Sequence, residues 1–330
     1  MDDTFSYGEG GLRCEGVALD EISKGAGTPT YVYSYAALEK SYRELDEAFS
    51  GLDHLVCFAA KANGNLAVMR ALASFGAGAD IVSGGELYRA MRAGFDPKKV
   101  VFAGVGKTED ELMAGLGERI LLFNVESVEK SAGLVEELKR RGLDVKYFSI
   151  GGGLGIRYKD EEVPTPKELV DAVRPALEAT GAKILCEMGR YIAGNAGVLL
   201  TRVLYRKRTG EKSFLVADAG MNDLLRPALY DAYHDVRPLR EDGTVAPADL
   251  VGPVCESGDR LARDRELPDA AEGDVLAVMG AGAYGFSMAS NYNSRRRSAE
   301  VLVRGDRWAV VRERESYADL VKGELVPAFL

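Results

Sequence analysis

The sequence predicts an α/β protein in which a parallel sheet is followed by a mainly antiparallel β domain. From about Thr28 to Gly194, short apolar runs alternate with helical patterns, which is typical of right-handed βαβ units. From about Val198 onward, strand patterns are joined by short turns instead. The chain has 330 residues, which is enough for two domains.

Six apolar runs are the strand candidates of the first part, and their composition is that of strands buried on both faces. In order they are LVCFAAK, GADIVS, VVFAGVGK, ILLFNVES, VKYFSIGGG and KILCEMGRYIAG. Helix patterns lie between them, and two of these, GGELYRAMRAG and VEKSAGLVEELKRRG, end at a glycine, a common helix stop. Polar residues and glycines follow the strands, so we expect the chemistry at their carboxyl ends, as in barrel enzymes.

The second part reads as a β domain. VLLTRVLYRKRTGEKSFLVADAG predicts two strands around a Thr-Gly turn, and SAEVLVRGDRWAVVRERES predicts two more around Arg-Gly-Asp. DVLAVMGAGAYG adds a further strand. Residues 1–27 are glycine-rich and strand-like, and we expect them to pair with this domain. The expected division is therefore 1–27, 28–197 and 198–330.

Composition excludes several classes of protein. There are 42 basic and 51 acidic residues, a net charge of −9, so no basic face for nucleic acid is expected. No apolar run approaches the ~18 residues of a membrane span, and the acidic start MDDTFSYGEGG is not a signal peptide. Four dispersed cysteines (Cys14, Cys57, Cys186 and Cys255) have no metal-type spacing and favour a reducing compartment. We expect a cytoplasmic protein without a metal site.

Lys61 lies in HLVCFAAKANGN, where an apolar strand gives way to turn residues. A lysine at a strand end usually buries its stem and keeps its charge in water, and that is the commoner role. A desolvated amine, by contrast, has a lowered pKa and can form a Schiff base with a carbonyl. This stretch alone does not decide between the two.

Three other stretches carry candidate site residues, and each is ambiguous by itself. SIGGGLGIRY places Gly151–Gly153 after a strand, where they form either a tight turn or a phosphate loop. CEMGRYIAG offers Glu187 and Arg190, either a surface ion pair or partners for a cofactor. VCESGDRLA offers Cys255 and Glu256, although a free cysteine is more often a small buried hydrophobe.

Taken together, the motifs resemble the diaminopimelate decarboxylases, pyridoxal-phosphate enzymes of the alanine-racemase fold type. They are AKANGN, GADIVSGGEL, FAGVGKT, LLFNVES, IGGGLGI, EMGRYIAGNAG, ADAGMNDLLRPALYDAYH, CESGD and GAYGFSMASNYNSR, and they extend over nearly the whole chain. The resemblance implies a (β/α)8-type barrel that binds pyridoxal 5'-phosphate, a C-terminal β domain, and a homodimer with shared active sites. It also implies decarboxylation of meso-2,6-diaminopimelate to L-lysine.

The resemblance assigns roles residue by residue. Lys61 matches the Schiff-base lysine and Glu187 the carboxylate at the pyridine nitrogen. The other residues that it places at the cofactor are Gly151, Gly152, Gly153, Gly189, Arg190 and Tyr284.

The substrate and the reacting carbon are assigned in the same way. Arg226 and Tyr230 match groups at the far end of the substrate, and Arg190 and Tyr284 match further substrate contacts. Cys255 resembles the proton donor. Glu256 resembles the residue that binds the distal amine, and both would come from the partner subunit.

The chain departs from the family at one place. Only six strand candidates precede Gly194, whereas the family's barrel has eight, and the gap falls after Ser127. The missing units carry the family's ring-stacking histidine, and neither His54 nor His234 lies in such a motif. We therefore expect a barrel that lacks two βα units. Two alternatives stay open: a decarboxylase of another basic amino acid (ornithine, arginine or lysine), or an internally deleted, weakly active or non-catalytic relative.

Overall fold

The structure is a computed structural model that describes residues 4–104, 106–124, 146–241 and 244–330. The chain divides into two compact units. Residues 35–196 form the inserted unit, and residues 1–34 together with 197–330 form the outer unit. Each is described by itself below.

Most of the described strands are short. In chain order they are β1 Phe5–Gly8, β2 Gly11–Cys14, β3 Val17–Ala18, β4 Thr30–Ser34, β5 His54–Ala59, β6 Gly78–Ile81, β7 Val100–Phe102, β8 Leu122–Phe123, β9 Tyr147–Ser149, β10 Lys183–Met188, β11 Gly197–Thr209, β12 Lys212–Ala217, β13 Val236–Pro238, β14 Val245–Val251, β15 Arg260–Pro268, β16 Val275–Val278, β17 Ala299–Arg304 and β18 Arg307–Arg312.

The described α-helices lie mainly in the inserted unit. In chain order they are α1 Leu19–Ala26, α2 Tyr35–Ala48, α3 Leu66–Phe75, α4 Gly84–Ala93, α5 Glu109–Glu118, α6 Pro166–Thr180, α7 Arg190–Ala193, α8 Arg226–Tyr230 and α9 Tyr317–Leu320. None of them is long and apolar enough to cross a bilayer.

The sheet of the inserted unit is parallel, and its strand order is β8-β7-β6-β5-β10-β9. The three strands β5, β6 and β7 are buried almost throughout, which explains why their sequences are apolar on both faces. All six predicted strands are thus confirmed. β8 and β9 are the two edges and are more exposed, and no backbone ladder joins them among the described residues.

Side-chain caps and glycines set the helix boundaries near the site. Asn65 accepts a hydrogen bond from the Ala67 amide at the start of α3, and Ser83 does the same for Glu86 at the start of α4. Gly94 ends α4 with φ 85°, so the predicted glycine stop is confirmed there. The other predicted stop, in VEKSAGLVEELKRRG, lies outside the described residues.

The outer unit is built on a nine-stranded mixed sheet. Its main path runs β15-β14-β12-β11-β4-β17-β18, and only the β12–β14 and β4–β17 pairs are parallel. The predicted pairs around Thr209-Gly210 and Gly305-Asp306 are both present as antiparallel hairpins. A mainly antiparallel second sheet is therefore confirmed.

Two details differ from the expected division. Thr30–Ser34 was expected in the barrel, but it pairs with β11 and β17 in the mixed sheet. The first 27 residues were expected to pair with the β domain, and backbone hydrogen bonds do join them to it, but β1, β2 and β3 also form an antiparallel sheet of their own. That sheet packs on the domain through a core that includes Phe5 and Leu12, and the Leu12 amide donates to the Leu239 carbonyl at 2.7 Å.

Candidate active site

Lys61 lies at the carboxyl end of the central strand β5, in a 3-10 turn formed by Ala60–Ala62. Its Nζ is 3.4 Å from Oδ2 of Asp80, near the end of the neighbouring strand β6. The lysine side chain is 47% exposed, whereas that of Asp80 is 1% exposed. The amine is therefore accessible to a small molecule, and it lies next to the buried carboxylate of Asp80.

Asp80 is the most perturbed acid at this edge of the sheet. Burial and, to a smaller extent, the charge of the nearby Glu187 raise its pKa to about 7, although Lys61 opposes both effects. Its Oδ1 is buried and has no hydrogen-bond partner among the described residues. A buried polar atom left in this state is typical of a site built to receive another group.

Glu187 connects the two edges of the parallel sheet. Ser149, the last residue of β9, donates from Oγ to Glu187 Oε1 at 2.6 Å. Asn124, directly after β8 at the opposite edge, donates from Nδ2 to the same oxygen at 3.3 Å. The sheet is therefore curled so strongly that the carboxyl ends of its edge strands meet at one carboxylate, although β8 and β9 do not pair.

The glycine turn after β9 is open on one side. Gly151 and Gly153 have φ angles of 67° and 106°, which favour glycine, and nothing lies within 4 Å of where their Cβ atoms would be. Gly152 is different, because a Cβ there would collide with the main-chain oxygen of Glu187. The turn is thus packed against β10 through Gly152 and leaves room at the two flanking glycines.

Gly189 and Arg190 form the turn from β10 into α7. A Cβ on Gly189 would come within 2.8 Å of Ala62 Cβ and 3.1 Å of Ala59 Cβ, so the glycine lets this turn approach the turn that carries Lys61. Arg190 donates from Nη1 to the Tyr158 hydroxyl at 2.9 Å, and its guanidinium lies 6.0 Å from that ring.

The outer unit contains the residues expected at the substrate. Arg226 begins α8 and is largely buried, and its guanidinium lies 5.9 Å from the ring of Tyr230, which is 61% exposed. Tyr284 has a φ of 56°, a strained conformation for a tyrosine. Such strain is often found at functional sites.

Cys255 and Glu256 lie in the turn between β14 and β15, and both are exposed. Behind them, buried Asp259 accepts from the Val254 amide through Oδ2 and from the Met221 amide through Oδ1, each at 2.6 Å. Burial raises the pKa of Asp259, and the two amides oppose that shift. One carboxylate therefore anchors the turn to the segment that leads towards Arg226.

The residues of the inserted unit fit pyridoxal phosphate. Lys61 offers an amine for the aldehyde, Glu187 a carboxylate for the ring nitrogen, and the open glycine turn a place for an anion. The buried Oδ1 of Asp80 is a further polar atom that such a group could satisfy. A ring-stacking histidine is not provided by His54, which lies at the opposite end of β5.

Comparison with known proteins gives consistent results. The family model for pyridoxal-dependent decarboxylases (C-terminal sheet domain) matches residues 30–282. The diaminopimelate decarboxylase of Pseudomonas aeruginosa is 42% identical, with 98% of this chain and 99% of the relative covered. The crystal structure of the M. jannaschii diaminopimelate decarboxylase with L-lysine has a TM-score of 0.93 at 32% identity, covering 100% of this chain and 99% of that one.

The fold and the site define a pyridoxal-phosphate enzyme with a parallel barrel-type unit and a separate sheet domain. Similarity of this extent also identifies the family within that class to which the chain belongs. The chain belongs to the diaminopimelate decarboxylases.

This chain is shorter than the Pseudomonas aeruginosa enzyme. The alignment with the Pseudomonas aeruginosa enzyme extends over 410 positions, whereas this chain has 330 residues. The relative therefore contains residues that face a gap in this chain, as an internal deletion requires.

Sequence reasoning missed several residues of the site. Asp80 had a usable signal, because a carboxylate inside the otherwise apolar run GADIVS is unusual in a buried strand. Ser149 and Asn124 had none, since only the curl of the sheet brings them to Glu187. Tyr158 and Asp259 act through the neighbours they contact, which the sequence does not reveal.

Proposed function

We propose that this chain decarboxylates meso-2,6-diaminopimelate to L-lysine and carbon dioxide, the last step of lysine biosynthesis. One observation carries the proposal: the Lys61 amine lies beside buried Asp80 at the carboxyl end of β5. Its family supports the choice of substrate, because the chain is 42% identical to a diaminopimelate decarboxylase.

The inserted unit would hold the cofactor. Lys61 would bind pyridoxal phosphate through its amine, and Gly151–Gly153 with Arg190 would receive its phosphate, a role that the resemblance also gives to Tyr284. When bound, the cofactor supplies an electron sink for the charge left by loss of carbon dioxide. Glu187 would keep a proton on the ring nitrogen, and both described side-chain donors to this carboxylate use Oε1 rather than Oε2.

The outer unit would hold the substrate and return the proton. The far end of diaminopimelate carries an amine and a carboxylate, and Glu256 with Arg226 and Tyr230 complements both charges. Arg190 and Tyr284 contact the reacting end. Cys255 donates its thiol proton to the carbon that has released carbon dioxide and becomes a thiolate.

A decarboxylase of another basic amino acid is less well supported. The lysine/ornithine decarboxylase of Vibrio vulnificus, solved with putrescine, has a TM-score of 0.76 over 87% of this chain and 98% of that one, but only 19% identity. That likeness shows the fold alone. A substrate without a distal carboxylate would also forgo the contact with Arg226 that the resemblance assigns to that group.

A weakly active relative is the second candidate, and a specific observation favours it. The parallel sheet has two edge strands among the described residues, and His54 does not lie at the cofactor end. The reaction class is unchanged in this case, and only the rate differs.

The assembly and location are further proposals. We propose a homodimer in which Cys255 and Glu256 reach the partner's site, because the resemblance to the family assigns both residues there and both side chains are exposed. A cytoplasmic location stays a prediction from the dispersed cysteines.

Carbon dioxide release from meso-diaminopimelate, ornithine and lysine tests the function. We expect turnover of diaminopimelate and rates on the other two lower by up to ~10⁴, because mismatched polar groups would remain buried without partners. Equal rates on ornithine would contradict the assignment. Borohydride should attach the cofactor covalently to Lys61. The control is Lys183→Ala, which removes an ion pair with Asp53 at the opposite end of the sheet and should retain activity.

A further inference from the structure

The turn that carries Cys255 is held from two sides. On the inner side, Asp259 binds the Val254 amide, and glycines at 220 and 252 leave space for its carboxylate. The chain is therefore fixed up to Val254, the residue before the cysteine. Within the turn, the Glu256 amide donates to the Val254 carbonyl at 2.8 Å.

On the outer side, the turn is held by a different segment. The Cys255 amide donates to Oδ1 of Asn293 at 2.9 Å. The preceding residue, Tyr292, donates from its hydroxyl to Oε2 of Glu256 at 3.4 Å. Two neighbouring side chains of one segment thus contact the two residues that are expected to reach the substrate.

The outer segment has a strained backbone. Asn293 has φ 57° and ψ 27°, and Ser294 has φ 52°. Two successive residues other than glycine in the left-handed region are uncommon, and asparagine is among the few that tolerate it. Such a conformation persists when surrounding contacts determine it, and it points the Asn293 side chain at Cys255.

We propose that Asn293 is a positioning residue for Cys255. By accepting from the Cys255 amide, its side chain fixes the backbone at that residue and so the direction of the Cα–Cβ bond from which the thiol projects. The inference rests on the proposed function for its effect on catalysis, since Cys255 is assigned there as the proton donor. A donor must lie within hydrogen-bond reach of the atom it protonates, and a displacement of ~1 Å can cost ~100-fold in rate.

A simpler explanation is that asparagine is present only because the backbone is left-handed. Two substitutions separate these explanations. Asn293→Gly tolerates the positive φ but removes the acceptor. Asn293→Asp keeps an acceptor oxygen and tolerates the same φ. Asn291→Ala is the matched control, because Asn291 lies in the same segment as Asn293 but bonds to Arg295 and Glu315 and makes no described contact with the Cys255 turn.

The first measurement is the alkylation rate of Cys255 by iodoacetamide in the native protein, followed by peptide mass. Cys14, Cys57 and Cys186 are buried, and burial raises their pKa, so they act as slow internal standards. We expect Asn293→Gly to alkylate about five-fold faster, since one hydrogen bond no longer holds the turn. Asn293→Asp and Asn291→Ala should stay within about two-fold of the unchanged protein.

The second measurement separates kcat from KM on diaminopimelate. We expect Asn293→Gly to lower kcat with KM nearly unchanged, because proton return follows binding, and Asn293→Asp to restore it. Unchanged alkylation in Asn293→Gly, or equal effects of glycine and aspartate, overturns the proposal. If the unchanged protein does not decarboxylate diaminopimelate, the proposed function fails, while alkylation still reports on the Asn293 contact.

Discussion

At the scale of single residues, the site depends on one pair. Lys61 is half-exposed and its amine lies 3.4 Å from buried Asp80. The amine is neither fully solvated nor fully desolvated, since its carboxylate partner is buried while about half of the lysine side chain is exposed. Asp80 holds the amine near the carboxyl end of β5, and Glu187 acts on the same carboxylate through its charge.

The raised pKa of Asp80 predicts a pH-dependent stability. Its pKa of about 7 in the folded protein exceeds the ordinary value of 3.8 for an aspartate, so the folded state binds more protons than the unfolded state between these values. The resulting stabilisation is complete below about pH 4 and is lost as the pH rises through about 7. Relative to Asp80→Asn, the unchanged protein should lose at most about 4 kcal/mol across this range.

Urea unfolding of both proteins between about pH 4 and pH 8 measures this loss. Asp160→Asn is the control, because the Asp160 side chain is 81% exposed, and its curve should run parallel to that of the unchanged protein. A constant difference between Asp80→Asn and the unchanged protein would show that Asp80 does not titrate as stated.

At the scale of elements, close approach between two turns positions Lys61. Gly189→Ala would bring a Cβ within 2.8 Å of Ala62, in the turn that carries the lysine. We expect about 1–3 kcal/mol of destabilisation and a fall in kcat of ~100-fold as the amine moves. The control is Gly117→Ala in α5. A Cβ there would meet nothing within 4 Å, and the substitution should stabilise the protein by up to about 1 kcal/mol. A kcat for Gly189→Ala within two-fold of the original would refute this.

The contact of both sheet edges with Glu187 predicts an effect across the sheet. Ser149→Ala removes a hydrogen bond to a carboxylate and should cost about 1.5 kcal/mol. The Asn124 side chain donates to the same carboxylate from the opposite edge of the sheet. Hydrogen exchange of the Asn124 backbone amide, which donates to the Phe102 carbonyl at 2.9 Å, should therefore also accelerate. Hydrogen exchange by mass spectrometry reads both edges. The control is Ser74→Ala, which removes a hydrogen bond within α3 and should leave both edges unchanged. If hydrogen exchange accelerates only in β9, the two edges are independent.

At the scale of the whole molecule, we predict that a barrel with fewer strands limits activity. The six described strands of the parallel sheet can close into a tighter ring, pair across a dimer or aggregate, and the contacts of Glu187 favour the first outcome. Lys61, the glycine turn and Glu187 must still meet within a fraction of an ångström. We predict weak cofactor binding and a turnover ~100-fold below that of a version with two βα units restored. Equal carbon dioxide release by the two versions would refute the prediction.

The sequence was most informative where burial dictates residue type. Buried strands such as β5 and β7 need apolar residues on both faces, so their positions could be read directly. The boundary drawn at residue 28 placed Thr30–Ser34 with the barrel, whereas this strand pairs with β11, because a buried strand looks the same whichever neighbours it pairs with. Site residues were found through motifs, whereas Asp80, Ser149 and Asn293 depend on contacts between distant segments, which residue periodicity does not encode.

The insertion of one unit within the other has a consequence for synthesis on the ribosome. β4 is made early, but its partners β11 and β17 belong to the part of the chain after residue 196. At ordinary rates of translation, β4 waits on the order of ten to thirty seconds for β11. Once Gly197 pairs with Tyr33, the two ends of the inserted unit are held side by side. Residues can then be lost from within that unit without changing the register of the mixed sheet, and each loss shortens the wait.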